Sequence, residues 1–141
     1  MYQNVLFYAF TAIDNPQALR EEHRIITKSL NLLGKIIISQ EGINGNVSGT
    51  RKETNTYMDL LKIRFPDMDF KIGNTVAHNF NKMVVRTRPE IITLNQDVDM
   101  SKRGEYIKPH ELKELLDTDE DVILLDGRNL YEAEFGTFEG A

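Results

Sequence analysis

Six consecutive apolar or aromatic residues, Val5 to Phe10, open the chain and read as a buried strand. Asp14, Asn15 and Pro16 follow as a helix start: a side-chain acceptor for the cap, then proline in the first turn, where no amide hydrogen is needed. Leu19, His23, Ile26, Leu30 and Leu33 recur at helical spacing, and Gly34 stands where a C-terminal cap is expected. The β-branched run Ile36-Ile37-Ile38 predicts a second strand. Gln40-Glu41-Gly42 predicts a turn, and Ile43 to Ser48 a returning third strand. Thr50 and Glu53 are spaced as a capping box for a second helix with Tyr57, Leu60, Leu61 and Phe65 as its apolar stripe, stopped by Pro66. Met68, Phe70 and Ile72 alternate, as a half-buried fourth strand does.

The order strand-helix-strand-strand-helix-strand predicts an α+β fold of the ferredoxin-like βαββαβ plan, an antiparallel sheet with both helices on one face. Lys82 to Arg86 and Glu90 to Leu94, flanking Arg88-Pro89, predict a further extended segment against the sheet or along its edge. The polar stretch from Asn95 to Gly104 reads as a linker. After it come a short helix from Glu111 to Leu116, opened by Lys108-Pro109-His110, a turn over 117–121, and a strand from Val122 to Leu125.

Charge sharpens the division. Residues 1–95 hold twelve Lys/Arg against nine Asp/Glu, a net of +3; residues 96–141 hold five against thirteen, a net of −8. A change of this size predicts two modules, 1–95 and 96–141, of which the first is compatible with a polyanionic partner. The composition is that of a soluble globular chain, and no apolar run approaches the ~20 residues of a membrane span. Asn46-Val47-Ser48 matches a glycosylation sequon, with no secretory signal to give it meaning. The chain has no cysteine, which excludes disulfides and thiolate metal sites and fits a cytoplasmic protein.

Candidate chemistry is sparse. The glycines and asparagines from Gly42 to Gly49 permit close approach of a ligand to the backbone, with Glu41 and Asn44 as polar groups beside it. The plainer reading is a hairpin with a β-bulge, where Gly and Asn serve geometry, and no phosphate-binding fingerprint is present. Glu41 is a conceivable general base without a nameable partner. Lys82, Arg86, Arg88, Lys102 and Arg103 gather in or just after the added segment. Arg86 and Arg88, two apart, share a face in extended chain and suit successive phosphates, with Tyr57, Phe80 and Tyr106 as possible stacking surfaces for bases. The alternative is a solvated, charged edge that discourages strand pairing. His23 reads as packing, and His78 and His110 are isolated, so no metal site is expected. At the end of the predicted strand 122–125, Asp126 is placed to accept backbone bonds or pair with Arg128.

The string Leu125-Asp126, Arg128, Glu132, Gly136, Gly140-Ala141 resembles the opening of an α/β rhodanese-like domain, broken off early. Together with the hairpin Gly34 to Gly49 and the stretch Val85-Arg86, Arg88-Pro89-Glu90-Ile91, it makes the chain similar to the bacterial UPF0176 family of tRNA uridine hydroxylases. The resemblance implies an N-terminal ferredoxin-like domain followed by the truncated start of a rhodanese domain. It implies a parent that uses molecular oxygen as co-substrate to 5-hydroxylate the wobble uridine of tRNA, with tRNA and the remainder of the rhodanese domain as partners. The family's essential cysteine lies in the rhodanese loop and has no counterpart here. The resemblance therefore assigns no catalytic residue and no cofactor to this chain, which is expected to be inert alone. Tentative substrate contacts are Glu41, Asn44, Lys82, Arg86 and Arg88; Asp126, Arg128 and Glu132 are expected to shape the rhodanese-like segment. Other readings are a non-catalytic RNA-binding or adaptor module, or a piece of a thiol sulfurtransferase.

Overall fold

A computed structural model of the chain describes every residue except Thr93, Leu94, Asp97, Met100, Ser101, Arg103, Asp119 and Glu120. Two compact units result, Met1–Gln96 and Asp97–Ala141.

In the first unit, β1 (Tyr2–Phe10) starts earlier than the apolar run that announces it. It is an inner strand, paired antiparallel with β3 (Gly42–Thr50) on one side and β4 (Asp69–Thr75) on the other. β2 (Leu33–Ser39) pairs antiparallel with β3, and β5 (Met83–Thr87) pairs parallel with β2. The order β4-β1-β3-β2-β5 is the ferredoxin-like sheet with one strand added at the β2 edge. That added strand accounts for Met83 to Arg86 of the predicted extended segment. Glu90, Ile91 and Ile92 form no strand, and Thr93 and Leu94 lie outside the described residues.

α1 (Pro16–Ser29) is capped as the sequence predicts, with Asn15 Oδ1 accepting the Ala18 amide at 3.0 Å. Its end is different. Leu30 is the C-cap, Asn31 takes the left-handed conformation (φ 50°), and Leu33 already belongs to β2. The Asn31 amide bonds to the Lys28 carbonyl and the Leu32 amide to the Thr27 carbonyl, the paired bonds of a Schellman stop. Gly34, expected at the cap, lies inside β2 at φ 153°, where a Cβ would fall 2.2 Å from the Asn46 carbonyl oxygen. It is a glycine of close strand approach, not of helix termination.

β2 and β3 join through the two-residue loop Gln40-Glu41 in unbroken register from Leu33↔Ser48 to Ser39↔Gly42, so the hairpin contains no bulge. Gly45 instead makes room for packing: a Cβ there would lie 2.3 Å from the far end of the Phe7 ring. α2 (Arg51–Arg64) opens on the predicted capping box, Glu53 Oε2 accepting the Thr50 amide at 2.8 Å and Thr50 Oγ1 the Glu53 amide at 3.4 Å. Thr54, Tyr57, Met58 and Leu61 form its buried side, whereas Leu60, expected in the stripe, is 42% exposed. The apolar face of α2 turns through Met58 because residues 54, 57, 58 and 61 lie within one arc of a 3.6-residue helix.

The core lies between the sheet and the two helices, where Val5, Phe7, Ile36, Ile38, Ile43 and Val47 meet Leu19, Tyr57 and Leu61. Phe7 and Tyr57 meet edge to face, with centroids 5.9 Å apart.

In the second unit, α3 (Pro109–Leu116) starts two residues before the expected helix, and α4 (Leu130–Ala133) is a single turn. Val122 to Leu125 form no strand; Ile123 and Leu125 are 88% and 90% exposed. A strand exists only through the ladder of a partner, and none of the described residues supplies one.

Candidate nucleic-acid interface

Register decides which residues share a face of the sheet. Phe7, Gly45, Ile36 and Val85 form one row across β1, β3, β2 and β5 and point toward the helices. The next row, offset by one residue, runs Asp69, Tyr8, Asn44, Ile37, Arg86 on the opposite face. A third row, Lys71, Leu6, Asn46, Lys35, Val84, lies beside it on that same outer face.

Asn44 and Arg86 thus lie on one face, separated by β2 and on the order of 10 Å apart by strand spacing. The Arg88 amide donates to the Ile38 carbonyl at 2.9 Å, continuing the ladder just past β5 and keeping Arg88 in step with Arg86. Arg88 also lines a cavity of about 400 Å³ with Pro16, Gln17, Gln40, Thr87 and Pro89. Lys82 immediately precedes β5 at its other end, its carbonyl accepting the Gly34 amide at 3.1 Å. The five tentative substrate residues therefore do not form one cluster.

Glu41 is the clearest departure from the sequence expectation of an available base. Its Oε1 accepts the Ile91 amide at 2.6 Å, its carbonyl accepts the Thr11 amide at 2.9 Å, and its own amide donates to Ser39 Oγ at 3.0 Å. The carboxylate ties the chain after β5 to the hairpin turn. Tyr57, considered for base stacking, is wholly buried and cannot serve. Phe80 is half-buried, Tyr106 is 76% exposed in the second unit, and Arg103 lies outside the described residues.

The histidines separate by environment. His23 Nδ1 is 2.7 Å from the Tyr57 hydroxyl; burial, reinforced by the Arg64 charge, lowers its pKa to about 4. Burial, with the Glu22 charge second, pushes the Tyr57 hydroxyl upward. His78 Nδ1 lies 3.0 Å from Ser48 Oγ, and its ring meets Tyr2 edge-on. No group of three or more His, Asp or Glu among the described residues is arranged to hold a metal ion.

In the second unit, Arg128 grips Asp126 through two nitrogens, Nε to Oδ1 at 2.9 Å and Nη2 to Oδ2 at 2.6 Å. The same Nη2 donates to the Gly136 carbonyl at 2.7 Å, and Thr137 Oγ1 donates to Asp126 Oδ2 at 2.8 Å. The ends of the 126–137 loop are thereby closed on each other. Arg128 first, then Thr137, holds the Asp126 carboxyl far below the usual carboxylate range. Glu132 Oε2 accepts both the backbone amide of Asn129, at 3.1 Å, and its Nδ2, at 2.7 Å, at the start of α4, and these bonds lower its pKa.

Sequence reasoning singled out Asn44 and Arg86, and register places Tyr8, Asn46, Lys35 and Lys71 on the same outer face. The available signal was the alternation in β1, where Leu6, Tyr8 and Phe10 occupy the positions opposite the buried Val5 and Phe7.

The sheet order and the hairpin define a sandwich of the ferredoxin-like plan, one sheet with two helices on a single face. Residues 2–91 match the family described as "UPF0176 acylphosphatase like domain", and the chain belongs to that family. Over 99% of its length the chain is 46% identical to the "tRNA uridine(34) hydroxylase" of Listeria monocytogenes serotype 4a (strain HCC23), covering 45% of that protein. It is likewise 46% identical to the "tRNA uridine(34) hydroxylase" of Enterococcus faecalis (strain ATCC 700802 / V583), covering 46% of it. The chain spans about half the length of these curated relatives. Among solved structures, the acylphosphatase of Bacillus subtilis aligns with 61% of the chain and 99% of its own, at 10% identity and TM-score 0.48.

Proposed function

We propose that the chain is the N-terminal part of a tRNA uridine hydroxylase, a cytoplasmic oxidoreductase that uses molecular oxygen to 5-hydroxylate the wobble uridine, and that its first unit contributes tRNA binding. The observation that carries this reading is the 46% identity, sustained over 99% of the chain, to proteins named for that activity. Lys82, Arg86 and Arg88 are the phosphate contacts in this reading. All three are exposed, and none forms a salt bridge or a side-chain hydrogen bond among the described residues.

The chain contains no cysteine, so the reacting thiol of a rhodanese-type site is not supplied by these residues. What the second unit supplies is shape. The Asp126–Arg128 grip sets the loop after an extended apolar segment, and the exposed Ile123, Leu125 and Phe135 are suited to burial by the remainder of a rhodanese domain. No helix among the described residues is long and apolar enough to cross a membrane.

Nucleoside mass spectrometry of tRNA from a strain lacking the gene tests the reading. Loss of 5-hydroxyuridine derivatives is expected; an unchanged profile overturns it, and loss of thiolated nucleosides instead would identify a sulfurtransferase.

A further inference from the structure

We propose that the outer face of the five-stranded sheet, opposite α1 and α2, receives unpaired RNA nucleotides, with Tyr8 and Phe10 stacking on bases, Asn44 and Asn46 meeting base edges, and Lys35, Lys71 and Arg86 holding phosphates. This rests on the reading above that the first unit binds tRNA, and it specifies which surface does so and which kind of RNA it takes.

Three observations carry it. The first is charge. Lys35, Lys71 and Arg86 occupy this face on three different strands, all exposed, and none makes an ion pair or a side-chain hydrogen bond among the described residues. On the helical side, by contrast, Arg20 and Arg24 both pair with Glu21, and Arg64 pairs with Glu22. The strands bring one carboxylate, Asp69, to the outer face, and it accepts its neighbour's amide, from Phe70, at 2.9 Å. Three uncompensated cations spread over a sheet suit a backbone that carries a negative charge at every step.

The second is apolar surface in the midst of that charge. Phe10 and Leu6 are each 37% exposed, and the Tyr8 and Phe10 rings lie 6.4 Å apart at 70° to one another. Rings beside cations on a sheet suit the flat faces of unstacked bases, which a duplex keeps hidden. The third is unused hydrogen-bonding capacity. Among the described residues, the carboxamide oxygens of Asn4 and Asn46 are shielded from water and meet no hydrogen-bond partner. A buried acceptor left in this state is costly, and rotation of either side chain toward an arriving base amino group would satisfy it. A protein partner of acidic character would use the cations but leave the rings and carboxamides without a purpose, so single-stranded RNA accounts for more of the face.

The test uses the 141-residue chain and two probes of equal length, an RNA hairpin with an open anticodon-type loop and a fully paired RNA duplex, titrated by fluorescence anisotropy at fixed salt. The hairpin is expected to bind on the order of tenfold tighter than the duplex, and that preference is expected to vanish in Phe10→Ser and in Lys35→Glu/Lys71→Glu. Far-ultraviolet circular dichroism checks the fold of each variant. Amide chemical-shift changes in the unsubstituted chain, expected at Lys35, Asn44, Asn46 and Lys71 on adding the hairpin, test the face without any substitution. Equal binding of hairpin and duplex, with shifts elsewhere, overturns this inference and leaves tRNA binding by the first unit standing. Absence of binding to either probe removes tRNA binding by this part of the chain, and this inference with it. A change of oligomeric state in the variants, without any effect on RNA, identifies the face as a contact between copies and also overturns it.

Discussion

His23 Nδ1 and the Tyr57 hydroxyl meet at 2.7 Å inside the core, joining the buried sides of α1 and α2. Burial keeps the imidazole neutral, with a pKa of about 4 against an ordinary 6.5. The unfolded chain therefore binds the extra proton first as pH falls, and stability drops between about pH 6.5 and 4. The full effect is roughly 3 kcal/mol by linkage. Urea midpoints measured through this window should fall more steeply for the natural chain than for His23→Asn. Parallel curves would remove His23 as the cause. Tyr57→Phe, which strands a buried ring nitrogen, should cost roughly 1–3 kcal/mol at neutral pH.

Gly45→Ala tests the packing of β3 on β1. The added methyl would stand 2.3 Å from Phe7 Cζ, and the ring is wedged against Tyr57 and Phe70. Destabilisation of roughly 1–3 kcal/mol is expected. Phe7→Leu in the same chain removes the far end of the ring, so the two substitutions should couple favourably in a double-mutant cycle. Strict additivity would show that the ring already has room to move.

Glu41 should report on the strap that follows β5. In Glu41→Ala, the Ile91 amide loses a charged acceptor at 2.6 Å, and its hydrogen exchange should quicken roughly ten- to a hundredfold while amides in β1 hold their protection. Unchanged exchange at Ile91 would mean that burial of its side chain, not Glu41, secures the strap.

Arg86→Ala/Arg88→Ala should weaken tRNA binding and lower the slope of log K against log salt by roughly 1.4–1.8, the contribution of two phosphate contacts. An affinity and slope equal to those of the natural chain would take both arginines out of the interface.

Several features of this protein are properties of neighbouring residues and could be read directly from the chain. Asn15-Pro16 starts α1, and Thr50 with Glu53 starts α2, because a cap is made within four residues and needs nothing distant. The alternation of apolar and polar residues set out the strand-helix-strand-strand-helix-strand order, and the missing cysteine excluded a thiol site whatever the fold. Other features depend on what lies opposite. Gly34 looks like a helix cap until β3 is laid beside it, when the Asn46 carbonyl leaves no space for a side chain. Tyr57 looks available for stacking until α2 packs on the sheet, and Glu41 looks like a base until Ile91 arrives fifty residues later to bond to it. Val122 to Leu125 has the composition of a strand and is none, since a ladder needs a second strand and none of the described residues supplies it. Register is the same kind of property: Lys71, Asn46 and Lys35 share a row across four strands, with Leu6 of β1 between the first two, and no spacing along the chain records it. Local hydrogen bonding was written in the sequence; which groups face each other, and which cations stay unpaired, was settled only when the strands came together.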